Sequence, residues 1–211
     1  MSRPLSRWTL LGVLVVVLLL ADQWTKFLAV ERLTTVFPRT GAATLVEKLR
    51  GFYTYEHLEA FATEPHYVYR PLWRMNYVEN PGAAWGLFRR MSEEFRNVFF
   101  TIVSLGAVAF IVHYFRKLRD EQRFLQVALA LVLAGALGNF IDRIARRYVV
   151  DFVEWYWWNR PDLRWPTFNV ADALIVVGVV MLIVHPGPKK EAEARSGEGE
   201  AAKPGEASSR A

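Results

Sequence analysis

Apolar positions in this chain are gathered into blocks of membrane length. The first runs almost unbroken over 10–21 and, with its flanks, fills about 20 residues from Trp8 to Phe27, enough for a ~30 Å hydrocarbon core. A second block covers 95–115, where the polar positions after Asn97 are Thr101, Ser104 and His113. A third covers 124–143. A fourth must end at His185-Pro186; its uninterrupted part, 173–184, is too short to cross, so a span of about 20 residues reaches back to Pro166. Asp172 is then about six residues, or ~9 Å, inside the boundary. The pattern predicts a membrane all-α protein, a bundle of four transmembrane helices over 8–27, 95–115, 124–143 and 166–185.

The intervening segments are polar. Residues 31–94 carry turn formers at Pro38, Gly41, Gly51, Pro65 and Pro71, many aromatics, and one short helical turn at Leu-Val-Glu-Lys-Leu. In 75–88, Asn80-Pro81-Gly82 is a turn signal, followed by small residues that permit close backbone approach and by Trp85 as an interfacial anchor. Residues 116–123 form a short charged loop, and 144–165 an aromatic loop containing Asp151. The Gly/Ala/Glu/Ser/Lys-rich segment 187–211 cannot build a core and reads as a dispensable, disordered cytoplasmic tail after a single domain, 1–186. The first block also resembles a secretory signal peptide, with a basic start and an apolar centre. Against that, Asp22-Gln23-Trp24-Thr25-Lys26 continues the helical pattern beyond it.

A net charge of +5 and a pI near 9.6 would suit nucleic acid, but the basic residues flank apolar blocks, where anionic lipid headgroups are the natural partner. Neither a zinc-finger pattern nor a basic recognition-helix pattern is present. The absence of Cys removes disulfides, thiolate metal sites and a Cys nucleophile. Four scattered His (57, 66, 113, 185) give no metal-ligand spacing, so neither metal nor cofactor is expected. Ser104 and His113 are about 13 Å apart along a helix and cannot pair.

Ionisable groups near membrane spans are costly, which makes them functional suspects. With four alternating spans, the end of the first, the loop before the second, the end of the third and the start of the fourth face one side. Asp22, Asn80, Asn139, Asp142, Arg143, Asp151, Asn169 and Asp172 occupy those places. Basic flanks at Arg3, Arg7, 116–123, Lys189 and Lys190 put both termini in the cytoplasm, although Arg146, Arg147, Arg160 and Arg164 weaken that bias. Asn139 with Asp142 and Arg143, and Asn169 with Asp172, share helical stripes. Purely structural roles are available too: an Asp22–Lys26 ion pair at a membrane surface, an Asp142–Arg143 helix-end pair, a wet-loop Asp151, and Asn169 capping a helix with Asp172 at its third position. Two carboxylates sharing one proton could draw a proton from water and polarise an amide carbonyl. Spacing alone leaves Asp142, Asp151 and Asp172 open for that pair.

Five blocks in order resemble the lipoprotein signal peptidases (signal peptidase II): Asp22-Gln23-x-x-Lys26; Asn80-Pro-Gly-Ala-Ala-Trp-Gly86; Gly138-Asn139-x-x-Asp142-Arg143; Val149-Val150-Asp151-Phe152; and Phe168-Asn169-x-Ala171-Asp172. The resemblance covers most of 8–185. It implies a four-span aspartic endopeptidase of the bacterial inner membrane with a small extracytoplasmic β-rich cradle and its active site near the outer face. Its substrates would be prolipoproteins carrying diacylglyceryl-Cys, cut just before that Cys; membrane lipid would be its other partner, and it would act as a monomer. By position the catalytic pair falls on Asp151 and Asp172. Asp22, Lys26, Asn80, Asn139, Asp142, Arg143, Asn169 and Ala171 match the supporting positions, and the inhibitor globomycin is expected at the dyad. Residues 31–75 are longer than is usual between the family's first two blocks. A proton-coupled carrier fits less well, because the centres of the second and third blocks hold little that is polar. A non-catalytic assembly factor would tolerate Asp→Asn changes.

Overall fold

The computed structural model describes residues 5–82, 88, 91–158 and 160–185. The tail 187–211, Arg3, Lys189, Lys190 and the small-residue stretch 83–87 with Trp85 lie outside the described residues.

Among the described residues, three helices are long and apolar enough to cross a membrane: α1 (Arg7–Leu33), α4 (Glu93–Lys117) and α5 (Arg123–Arg146). The ends of the first two follow helix chemistry. Ser6 and Ser92 cap α1 and α4 with their hydroxyls, and α4 carries Glu93 and Glu94 in its first turn and Arg116 and Lys117 in its last, as the helix dipole favours. Much of their surface is apolar and outward-facing. Val16, Val17 and Leu20 on α1 and Val98, Ile102 and Phe110 on α4 are all exposed, an arrangement suited to lipid and costly in water. α5 is the central helix, in contact with α1, α4 and α6 (Val170–Val184).

α6 begins at Val170, four residues later than the apolar pattern predicts, and has 15 residues, about 22 Å of helix. The reason is local. Asn169 caps it, its side chain accepting from Asp172 N while the Asp172 side chain accepts from Asn169 N. Asp172 therefore sits in the first helical turn, and the residues before it are extended.

Between α1 and α4 the chain forms α2 (Val36–Thr40), α3 (Leu45–Thr54), a 3₁₀ turn (Leu58–Phe61), then β1 (His66–Tyr69) and β2 (Trp73–Asn80). The predicted short turn at 45–49 is thus a ten-residue helix, started by a Thr44/Glu47 capping box. Among the described residues of this segment, the strands occupy 66–80. The rest of the sheet comes from the stretch expected to be an aromatic loop: β3 (Val149–Trp157) and β4 (Arg160–Arg164), in an antiparallel sheet of order β1-β2-β3-β4. Val149-Val150-Asp151-Phe152-Val153 is β-branched and aromatic, a composition that fits a half-buried pleated surface.

Among the described residues, two hydrophobic clusters hold the helices and sheet together. Phe27, Val30, Val36, Phe37, Phe52, Tyr77, Val150 and Phe152 join the end of α1 to α2, α3 and the sheet. Leu11, Ile111, Phe115, Leu125, Leu129 and Leu133 join α1, α4 and α5 at the opposite end. The polar site lies beside the first cluster.

Candidate active site

Strand alternation decides where Asp151 points. Its neighbours Val150 and Phe152 enter the hydrophobic cluster, so Asp151 takes the other face. There, 2% exposed, it accepts from Asn80 Nδ2 (2.9 Å) and Asn169 Nδ2 (2.7 Å). Asn80 is aimed by its own turn, its Oδ1 accepting from Gly82 N at 3.1 Å. The chain returns from β4 and pins Phe168 to β3, Phe168 N donating to Val153 O and Val153 N to Phe168 O. That pin delivers Asn169 next to Asp151 and starts α6 there.

Asp172 reaches the same place from α6. Its Oδ1 accepts from Asn139 Nδ2 at 2.7 Å and its Oδ2 from Asn169 N at 3.2 Å. Asn169 thus bonds both acids, and its Nδ2 also donates to Asn139 Oδ1 at 3.2 Å. The capping reading of the Asn169/Asp172 pair holds, and the same capping box orients both side chains toward Asn139 and Asp151. Burial, and then the adjacent Asp172 charge, push the Asp151 carboxyl above the usual carboxylate range; the hydrogen bonds from Asn80 and Asn169 pull the other way.

Behind this pair is a buried ion network. Lys26 Nζ spends its three donors on Asp22 Oδ2 (2.9 Å), Asp142 Oδ2 (2.9 Å) and Asn139 Oδ1 (3.1 Å). Asp142 accepts as well from Arg146 Nη1 (2.8 Å), Gln23 Nε2 (3.0 Å) and Val150 N (3.2 Å). Asp22 Oδ1 takes Ala171 N at 2.9 Å. Two acids and two bases balance in charge, which is what permits their burial. The Asp22–Lys26 pair is therefore not a surface pair, and Asp142 pairs with Lys26 and Arg146, not with Arg143.

Arg143 stands apart from that network. Its guanidinium lies 4.4 Å from the Phe100 ring centroid and donates to Asn139 O and Gly82 O. Ala171 contributes smallness: a Cβ on Gly138 would stand 2.5 Å from Asp22 Oδ2 and 3.3 Å from Ala171 Cβ. All ten residues singled out from the sequence therefore belong to one connected region. Gln23 and Arg146 were missed as participants, although Arg146 is four residues after Asp142, the helical ion-pair spacing.

A carboxylate offers about four acceptor positions. Asp142 fills four, whereas Asp151 and Asp172 each accept two bonds among the described residues. Among those residues no group of three or more His, Cys, Asp or Glu is placed to hold a metal ion.

The model of the family described as signal peptidase (SPase) II matches residues 14–186. A lipoprotein signal peptidase of Anaeromyxobacter sp. (strain Fw109-5) is 71% identical over 191 residues, 90% of each chain. One from Symbiobacterium thermophilum is 36% identical over 173 residues, covering 82% of this chain and 91% of its own. A solved bacterial membrane enzyme superposes with a TM-score of 0.58 at 26% identity over 95% of both chains. With the family model matching most of its length, and this polar cluster set among apolar helices, the chain belongs to the signal peptidase II family.

Proposed function

We propose that this protein is an intramembrane aspartic endopeptidase that removes the signal peptide from diacylglyceryl-modified prolipoproteins, cutting just before the lipidated Cys, with Asp151 and Asp172 as its catalytic pair. One observation carries the reading: Asn169 donates from its side chain to Asp151 and from its backbone to Asp172, so two acids from separate elements are held together with acceptor positions to spare.

The pair shares one proton and titrates as a unit. The ionised carboxylate takes a proton from water, which attacks the scissile carbonyl while the protonated carboxyl donates to its oxygen. Collapse of the tetrahedral intermediate returns a proton to the leaving nitrogen. The products are a signal peptide with a new carboxyl terminus and a lipidated Cys with a free amine. Asn80, Asn139 and Asn169 orient the acids. The Asp22–Lys26–Asp142–Arg146 network braces α1 against α5, and Arg143 holds the turn after Asn80.

In this reading α6, with the extended residues before it, completes a fourth span in the bacterial inner membrane. Both termini are cytoplasmic and the dyad is near the outer face. The enzyme works as a monomer, with prolipoprotein and lipid as its partners, and globomycin occupies the dyad. The test is cleavage by the purified full chain of one precursor in its diacylglyceryl and unmodified forms, with products read by mass. The reading expects a single cut before the lipidated Cys, blocked by globomycin, and little cleavage of the unmodified form. Equal cleavage of both forms, or a cut elsewhere, would refute the substrate assignment.

A further inference from the structure

We propose that the aromatic face of β2–β4 is an anchor for the interfacial layer of the bilayer, with exposed arginines at its margin near anionic lipid headgroups, and that it sets the depth of the acid pair. Trp155, Trp157, Trp158 and Trp165 are each more than half exposed. Trp73 lies opposite Trp155 in register, and Trp157, two residues further along β3, shares that face. With Leu72, Leu163 and Trp165 these rings line an open groove of about 500 Å³ that is almost wholly apolar.

Composition and position identify the occupant. Indole rings, amphipathic and bulky, are the side chains enriched where membrane meets water. The same stretches, 69–74 and 154–165, carry four arginines (70, 74, 160, 164) against two acids; Arg74 is held by the buried Glu154 on the other face of the sheet and Arg160 pairs with Asp162, which leaves a surplus of two, with Arg70 and Arg164 exposed. That surplus is complementary to an anionic lipid surface. β3 starts within three residues of the end of α5, and α6 starts six residues after β4. The hairpin is therefore tied to the ends of two apolar helices, at the level where they leave the hydrocarbon.

The coupling to the acids is direct. Trp155 packs edge-on against Phe168, with ring centroids 5.0 Å apart. Phe168 is pinned to β3 and immediately precedes Asn169, which holds both acids. The anchor and the dyad share one short piece of backbone.

The inference rests on α1, α4 and α5 being membrane spans, and not on which acids are catalytic, so its failure leaves the cleavage assay unaffected. The chain has no Cys, so Trp157→Cys and Leu163→Cys each give a single position for a nitroxide label. Two sites are used so that either can report if the other variant misfolds. The labelled full chain is placed in vesicles of phosphatidylcholine and phosphatidylglycerol. Collision with oxygen and with a water-soluble nickel chelate is measured against lipids labelled at known depths. Labels at both sites are expected at the headgroup to upper acyl-chain level, moving toward water when phosphatidylglycerol is omitted. A label that collides like a free aqueous nitroxide, one shielded from both reagents by protein such as a second copy of the chain, or one insensitive to lipid charge would overturn the proposal.

Discussion

Asn80 and Lys26 show how single side chains govern the site. Asn80 Nδ2 stabilises the ionised form of Asp151, so Asn80→Ala raises an already raised carboxyl further. The alkaline limb of the kcat/KM profile, where the shared proton is lost, should then move to higher pH; a shift to lower pH would contradict the hydrogen bond's assigned role. The sign for stability is related. An acid whose folded value lies above its unfolded one contributes stability fully present below the ordinary carboxylate range, and that contribution is lost as pH rises through the raised value. Lys26 serves two buried acids at once. Lys26→Met leaves Asp22 and Asp142 without their shared cation and should cost about 3–5 kcal/mol, read as a lower unfolding midpoint in detergent. An unchanged midpoint would show that the network adds nothing. Much at this scale was legible: the ten residues singled out from the sequence lie in one connected region, while Ala83 to Gly86 of the second block lie outside the described residues. Spacing could not separate Asp142 from Asp151, because saturation of Asp142 depends on Gln23 and Val150 N, which only the folded chain brings to it.

Elements were legible in proportion to how far lipid constrains them. The long helices follow from unbroken apolar blocks, since a backbone in hydrocarbon must satisfy its own hydrogen bonds. The start of α6 was not legible from hydropathy, because Asn169 and Asp172 set it through a local cap that overrides the apolar count. β3 was hidden for another reason: Asp151 and Glu154 are both buried, so the strand lacks the alternation that marks a half-exposed one. Helix contact also turns on Gly138, where α5 meets Asp22 of α1. Gly138→Ala adds about 1 kcal/mol of helix propensity. Its Cβ would also displace a carboxylate held by Lys26 and Ala171 N, losing about 1.5–3 kcal/mol for the charge-assisted bond besides the cost of overpacking. Net destabilisation is expected in thermal melts, and a more stable variant would mean that α1 can shift away.

For the whole molecule, an outward apolar surface on the long helices is joined to one polar cluster at the sheet end of the bundle. α1 brings the charge-balancing lysine, α5 the central asparagine, β3 one acid and α6 the other. Contacts that bring residues 22, 139, 151 and 172 together span most of the chain, so the cluster exists only once the helices and sheet have docked. Its assembly was therefore accessible from sequence only through helix parity and the five motif blocks. The decisive measurement is turnover of a diacylglyceryl prolipoprotein by folded Asp151→Asn and Asp172→Asn proteins beside the unaltered chain. Each substitution should lower the rate by on the order of 10²–10⁴-fold or more, as loss of an acid–base group does, with unfolding midpoints close to the parent's. Near-parental turnover by either folded variant would contradict the two-carboxylate mechanism.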